Sequence, residues 1–522
     1  MKKIIYFLVF VLGIVFHSCR KEFENSNYRD INEIAISELG QSHRLLYKID
    51  TLKISPNLNF TINEYEEDRF SYEWKLVSSE RTDIITKKGV IIGTVKNLKY
   101  PVTATPGVYT LYLKVTDKET NIVWSSFTFL EIAIQSGTGF LLIGEDDEGF
   151  VEVEMIAMNS DDTSIVKGLS RDNGVPRFKG AVDILHTGSF PLRPANVKQW
   201  VLGKEHAYYV NHATFETSPN QVFKNLLFAS YSLPSNIIPV DIAPRINRIG
   251  GNTANSLKRT IVTNTGHSFN ADLTSGGGDF YGNPTNRLSG INSPTFPVFP
   301  YIMHGPGAWT HYTLFDTENR RFVYASSSAT NMNLLPDRPN DPFPWNQSEV
   351  NRSLVFVRNT RNTDGGSTNG NTLALMKNFE TGQYFIYKFY AANVPQKRNG
   401  YVVSDAYSKE LEKSKLFAFS STRTALYFAQ GSKLFAYDYN LGNEQMIFIK
   451  DFGEEITMIY SDIQTNSYLD LYVATYSIAN KGTIHKLELQ NNTNTIELKV
   501  NDNVKWKGLA KVINMSWKNS TH

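Results

Sequence analysis

From Phe140 onward the chain repeats one device: a short apolar strand, a polar or glycine turn, and a second strand that runs back. Phe140–Gly144 turns through the acidic Glu145–Gly149 into Phe150–Met155. Gln199–Gly203 returns as Ala207–Asn211, and Tyr312–Asp316 as Arg321–Ala325. Leu373–Met376 passes through Glu380-Thr381-Gly382 into Tyr384–Phe389. Ala425–Ala429 passes through Gly431-Ser432 into Lys433–Asp438, and Tyr468–Ala474 through Asn480-Lys481-Gly482 into Thr483–Leu489. No single turn motif is shared, but the hairpins look alike and no helix of length interrupts them. Four-stranded units recurring at about 40–60 residues read as blades, and residues 136–518 have room for about seven. The reading is therefore a β-propeller over 136–518, in place of two ordinary β-domains. Composition agrees: 27 Tyr and 32 Phe among 522 residues favour strands.

The stretch before the hairpins has a different pattern. In Phe70–Leu76 the residues Phe70, Tyr72, Trp74 and Leu76 alternate onto one face. Pro106-Gly107 turns into the long strand Val108–Asp117, and Ile122–Ile134 follows it. Roughly seven short strands over about a hundred residues imply a β-sandwich at 41–135. Tyr72-Glu73-Trp74 and Pro106-Gly107-Val108-Tyr109-Thr110-Leu111-Tyr112-Leu113-Lys114-Val115-Thr116-Asp117 resemble a PKD domain, with its mid-domain tryptophan strand and late "PGxYxxxLxVxD" strand. Val77-Ser78-Ser79-Glu80 stands where that family usually turns through Gly-Asp-Gly, so the match is to a PKD-like variant. Trp74 reads as a core residue. Gln135–Gly139 reads as a small-residue hinge, an exposed linker between the two parts.

The N-terminus limits where such a chain can reside. Lys2 and Lys3 precede the apolar run Ile4–Phe16, and His17-Ser18-Cys19 closes it. This is a signal-peptide pattern over 1–18, too short for the ~20 residues of a membrane span. Ser18-Cys19 resembles a bacterial lipobox, which implies cleavage before Cys19 and lipidation of that cysteine. Cys19 is the one cysteine of the chain, so disulfides, zinc–thiolate sites and thiol catalysis are excluded from the mature body. Residues 19–40 read as a tether. The mixed-charge start Arg20-Lys21-Glu22-Phe23-Glu24 resembles a Bacteroidetes surface-export signal.

Taken together, these segments resemble the PKD-like lipoproteins of Bacteroidetes: a signal peptide, a PKD-like module and a propeller-like C-terminal region. The resemblance implies a lipid-anchored outer-membrane protein facing the cell exterior, accessory to SusC/SusD-type nutrient uptake; the ligand stays open between a glycan, a peptide and another protein. It implies no known enzymatic activity and supplies no set of functional residues.

The residues themselves carry no recognisable catalytic set. Gly266-His267-Ser268-Phe269-Asn270 begins like a nucleophile elbow, but lacks the last glycine and the α/β fold an elbow needs. The pairs His206/His212 and His304/His311 have no metal-ligand spacing. Asn362-Thr363-Asp364-Gly365 lacks the flanking acids of a calcium loop. Ser275–Asp279 precedes no helix, so it is no phosphate cradle. No cofactor motif is present. A net charge of +2, from 53 basic and 51 acidic residues, gives no electrostatic case for nucleic acid. Two proline- and aromatic-rich connections remain, Asp279–His311 and Leu334–Trp345, and long irregular connections are often functional. Trp309, Trp345, Tyr301 and Tyr281 are the candidate contacts to a ligand or partner, set against the reading that they pack over a propeller face. The sequence thus favours a non-catalytic binding or scaffold protein; a surface-tethered propeller hydrolase or lyase is the alternative.

Overall fold

The computed structural model describes residues 32–62, 66–79, 89–158, 163–187, 198–246, 257–273, 279–307, 309–465, 469–492 and 495–519. The signal peptide and Cys19 lie outside them. The chain divides into two compact units, the first ending at Ala133 and the second starting at Ile134. No helix among the described residues is long and apolar enough to cross a membrane.

The first unit is a β-sandwich. Its larger sheet runs, edge to edge, Ser42–Leu46, Val123–Ala133, Gly107–Asp117, Phe70–Ser78 and Val90–Gly93. Ser42–Leu46 pairs in parallel with Val123–Ala133, and the other pairs are antiparallel. Two ribbons complete the unit: Ile34–Ser37 with Asn57–Phe60, and Thr51–Ile54 with Leu98–Pro101. Period-2 alternation does the sorting: Phe70, Tyr72, Trp74 and Leu76 all face the core, while Ser71 faces water. Trp74 is fully buried, and its indole N–H donates to the Val95 carbonyl at 2.9 Å. The expected tether is partly folded: Ile34–Ser37 is a sandwich strand, and Ile34 and Leu39 are buried in the core. Apolar residues at alternating positions were enough to draw that stretch in.

The second unit is a closed seven-bladed β-propeller. Its sheets follow one another along the chain: Ala181–Thr187 with Lys198–Gly203 and Ala207–Asn211; Pro239–Ala243 with Lys258–Thr263 and Ser268–Asp272; His311–Asp316 with Arg321–Ser326 and Asn333–Leu334. Then come Arg352–Asn359, Asn371–Asn378, Tyr384–Tyr390 and Gln396–Val402; Phe417–Phe419, Ala425–Gln430, Lys433–Asp438 and Gln445–Asp451; and Glu455–Ser461, Asp470–Ser477, Lys481–Leu489 and Leu498–Leu509. The remaining sheet closes the ring. The C-terminal strand Lys511–Lys518 pairs with Gly139–Glu145, followed by Val151–Ala157 and Ser164–Val166. We number that sheet blade 1 and the others blades 2 to 7 in chain order.

Closure is visible in the packing. Each of seven hydrophobic clusters lies between two neighbouring blades, and the one holding Phe140, Tyr472 and Trp517 joins blade 7 to blade 1. The same geometry explains why the blade strands read as unbroken apolar runs. Successive side chains point to opposite faces, and both faces of a blade meet a neighbour. Phe140 and Leu142 pack toward blade 7, whereas Leu141 and Ile143 pack toward blade 2. Leu373 and Leu375 face blade 6, whereas Ala374 and Met376 face blade 4.

Turn chemistry supplies a shared device that the sequence did not reveal. Asp316 accepts from the Glu318 and Asn319 N–H groups, Asn378 from Glu380 and Thr381, and Asp146 from Glu148 and Phe150. An Asp or Asn closing the first strand thus templates the turn with its own side chain. The two-residue turn at Gly431-Ser432 instead needs φ = +60° at Gly431.

The Gln135–Gly139 hinge is not an exposed strip. Ser136 is buried, and the Lys518 ammonium donates to the carbonyls of Ser136 at 2.6 Å and Gly137 at 3.0 Å. The last residue of the closing strand therefore ties down the entry to the propeller.

Candidate functional site: the axial cavity

Seven strand segments line the propeller axis, one per blade. In blade 4 this segment is not a regular strand. It is the stretch 301–304, tied to His311–Asp316 by the reciprocal pair Met303–Thr313, with N–H···O distances of 3.1 and 2.8 Å. The proline-rich Asp279–His311 connection thus supplies part of the blade frame.

A cavity of about 90 Å³ opens between six of these segments, those of blades 1 and 3 to 7. Blade 3 and the residues after its first strand contribute Asp241, Arg245 and Ile246. The blade 4 segment contributes Tyr301, Ile302 and His304, and blade 5 and its following turn contribute Arg358, Asn359 and Arg361. Phe419, Tyr460, Gln464 and Asn514 come from blades 6, 7 and 1.

Arg245 is the ionic centre. Its guanidinium donates to Asp183 of blade 2 at 2.6 Å and to Asp241 at 3.1 Å. Both carboxylates are buried, and Asp241 also accepts from the Ile302 N–H at 2.8 Å. Burial pushes Asp183 up from the usual carboxylate value, with Arg245 opposing and Asp241 reinforcing the shift. Burial pulls Arg245 down, but the two carboxylates outweigh it and hold the guanidinium above its ordinary value. Three blades are fastened by one charged triad.

Gln464 fastens the opposite arc. Its amide donates to the Ile246 carbonyl at 2.7 Å, and its oxygen accepts from the Tyr460 hydroxyl, the Ser516 hydroxyl and the Trp517 N–H. Asp462, next to it, is occupied by its own turn, accepting from the Gln464 and Thr465 N–H groups and the Thr465 hydroxyl.

Between these anchors lie the groups that face the open space. His304 is buried, and its Nδ1 lies 3.1 Å from the Gly305 carbonyl; burial lowers its pKa to about 4, so it is neutral at pH 7. Tyr301 is half-buried and its hydroxyl accepts from the Asn359 N–H at 3.0 Å; burial raises its pKa. Arg358 is exposed, with its guanidinium 5.0 Å from the Tyr301 ring centroid and 4.7 Å from that of Phe356. Arg361 donates to the Ile463 carbonyl at 2.8 Å, bridging blades 5 and 7.

Of the residues expected from sequence to contact a ligand, Tyr301 alone lines this cavity. Trp309 is 7 % exposed and stacks on Tyr312 at 5.9 Å between blades 3 and 4. Trp345 is 3 % exposed between blades 4 and 5, and Tyr281 is fully buried between blades 2 and 3. These three are core residues and form no open contact platform; the aromatic connections fold inward because the wedges between blades need large side chains to fill them. Sequence reasoning passed over Asp183, Asp241, Arg245, Arg358, Asn359, Arg361 and Gln464. A signal existed: the axial residues 183, 241, 301, 358 and 418 fall roughly 60 residues apart, each just ahead of a recognised or recognisable hairpin. The discounted Gly266–Asn270 stretch is simply the turn and return strand of the blade 3 hairpin. Among the described residues no group of three or more His, Cys, Asp or Glu is placed to hold a metal ion.

Residues 19–175 match the PKD-like family model, which takes in the sandwich and the strands of blade 1 up to Val166. No curated protein matches the chain. Among solved structures it is similar to a quinonprotein alcohol dehydrogenase-like protein from Bacteroides thetaiotaomicron, at 13 % identity and a TM-score of 0.41, covering 94 % of this chain and 99 % of that one. It is also similar to PorZ, a surface component of the type-IX secretion system of Porphyromonas gingivalis (10 %, 0.31, covering 77 % and 44 %), and to a GH74 xyloglucanase from Xanthomonas campestris (9 %, 0.33, covering 71 % and 56 %). The fold assignment rests on the strand pairing and the seven inter-blade cores. The chain is an all-β protein that joins a PKD-like sandwich to a seven-bladed propeller.

Proposed function

We propose that this protein is a lipid-anchored, surface-facing outer-membrane protein that binds rather than transforms its ligand, as an accessory to a SusC/SusD-type uptake system. The observation that carries the binding reading is the axial cavity. Six blades place polar and aromatic side chains around one small space, and two buried networks hold that frame rigid. A rigid frame that presents few, fixed polar groups suits recognition. The anchor at Cys19 and the export-signal-like start supply the location, and the PKD-like module beside the tether serves as a spacer.

The test has two parts. Cys19→Ala should abolish acyl labelling and release the full chain from membranes. Cross-linked capture of the wild-type chain from outer membranes should recover a SusC/SusD-like pair. Persistent acylation of the variant overturns the anchor, and capture without such a pair overturns the uptake role. A propeller hydrolase or lyase is the second reading, because Asp241, Tyr301 and His304 line the same cavity. Turnover of glycan or peptide substrates that is lost in His304→Ala would favour it.

A further inference from the structure

The arginines around the axial cavity differ in how far carboxylates engage them, and that difference specifies a ligand. Three guanidinium groups, Arg245, Arg358 and Arg361, face the space, against one lining carboxylate, Asp241. Asp241 and the adjacent Asp183 are both engaged by Arg245, and the hydrogen bonds of Asp462 are taken by its own turn. His304 is neutral and adds no charge. Arg358 differs from the other two arginines. Its described contacts are the Val357 carbonyl at 3.0 Å and the faces of Tyr301 and Phe356, and among the described residues no carboxylate forms a salt bridge with it. Stacking on two rings fixes the plane of its fork while leaving N–H edges for a ligand.

The fields of these arginines converge on the same space. Arg358 and Arg245 both act on the Tyr301 hydroxyl, and Arg245 and Arg361 both act on His304. Of the amide side chains on the wall, Asn359 and Gln464 are taken by the frame, whereas Asn514 uses its oxygen on the Met515 N–H and lines the space beside the arginines. A planar, pre-oriented guanidinium is suited to a planar anion with two oxygens. The cavity has room for such a group and a few attached atoms, and the remainder of a larger molecule would lie outside its mouth.

We infer that the axial cavity binds the carboxylate of a small or terminal acidic group, with Arg358 as its fork and Tyr301 positioning that fork. This rests on the binding reading given above and names its ligand class. A sugar acid and a peptide C-terminus present the same carboxylate, so the experiment separates them.

The full-length chain, purified in detergent, is titrated calorimetrically with glucuronate and with glucose, with diglycine and with diglycinamide, and with inorganic phosphate. At least one carboxylate should bind tenfold or more tightly than its neutral counterpart. Binding of glucuronate alone identifies a sugar acid, and binding of diglycine alone identifies a peptide terminus. Arg358→Ala should weaken that binding at least tenfold without shifting the melting temperature, because the side chain is exposed. Arg358→Lys, which keeps the charge and loses the fork, should weaken it at least threefold. Carboxylates that bind no better than their neutral counterparts, binding of phosphate alone, or wild-type affinity in both variants would each overturn the inference. Capture of the uptake pair would survive that failure, so the two readings fail separately.

Discussion

Replacing Trp345 by alanine tests whether the aromatic connections are structure or contact surface. The indole is 3 % exposed and meets Phe322, Phe343 and Phe389 edge-on, with ring centroids 5.6, 5.2 and 5.3 Å away. An indole of this burial removes about 200 Å² from water, which at roughly 25 cal/mol/Å² is about 5 kcal/mol. Large-to-small changes of Trp cost about 3–5 kcal/mol when the site collapses only partly. Collapse is restricted here, since blades 4 and 5 are held in a closed ring and cannot approach each other freely. The expected loss is therefore about 4 kcal/mol. Equilibrium urea unfolding of the full chain, read by tryptophan fluorescence, is the assay. Trp200, Trp309, Trp506 and Trp517 remain in the propeller to report on it. Phe448→Ala is the control: that ring is 56 % exposed, and its removal should change stability by no more than about 0.5 kcal/mol. A loss below about 1 kcal/mol for Trp345→Ala would refute the core assignment and return the residue to the candidate surface.

Gln464→Leu should cost about 1–3 kcal/mol, because it leaves the Trp517 N–H and the Ile246 carbonyl buried without their partner; the same urea titration measures it. In the sandwich, Arg69 holds the Asp117 carboxyl down to about 2 through a hydrogen bond of 2.7 Å. Because the folded-state value lies below the unfolded one, this contribution is present above pH ~4 and is lost as pH falls toward 2, and Asp117→Asn should remove that acid-side loss. Lys518 has a dependence of the same sign in a more alkaline window. Burial lowers it to about 7, so the unfolded chain binds the extra proton between pH ~7 and ~10.4, and its contribution to stability rises with pH across that window. Lys518→Met should flatten this rise in thermal melts recorded as a function of pH.

Much of the architecture was legible because strands advertise themselves locally. The alternation of Phe70, Tyr72, Trp74 and Leu76, and the six hairpins from Phe140 to Leu489, each lie within a short window where period 2 and turn residues are visible. The seventh hairpin, Lys258–Thr263 with Ser268–Asp272, was hidden behind a motif-like Gly-His-Ser. Two things were not legible. A strand whose alternation is short, such as Ile34–Ser37, looks like a polar tether until its partner at Asn57–Phe60 is known. Burial of an aromatic on an irregular connection depends on which blades flank it, so Trp309 and Trp345 could not be sorted from Tyr301 by sequence.

The axial site was illegible for a deeper reason: ring closure creates it. Asp183 comes from blade 2 and Asp241 and Arg245 from blade 3, and Gln464 meets Ser516 and Trp517 only because the last strand returns to pair with Gly139–Glu145. Within a single blade these groups are only partly engaged: Arg245 meets Asp241 and Gln464 meets Tyr460, and the partners that complete them, Asp183, Ile246, Ser516 and Trp517, come from other blades. Closure brings them together, and burial there forces every charge to find a counter-charge or a hydrogen bond. Arg245 does so with two carboxylates and Gln464 with four groups, whereas Arg358 lies on two aromatic faces at the open side. The closed ring thus separates its polar residues by task. Those with complete partners hold the blades, and the arginine left stacked and exposed is the one available to a ligand.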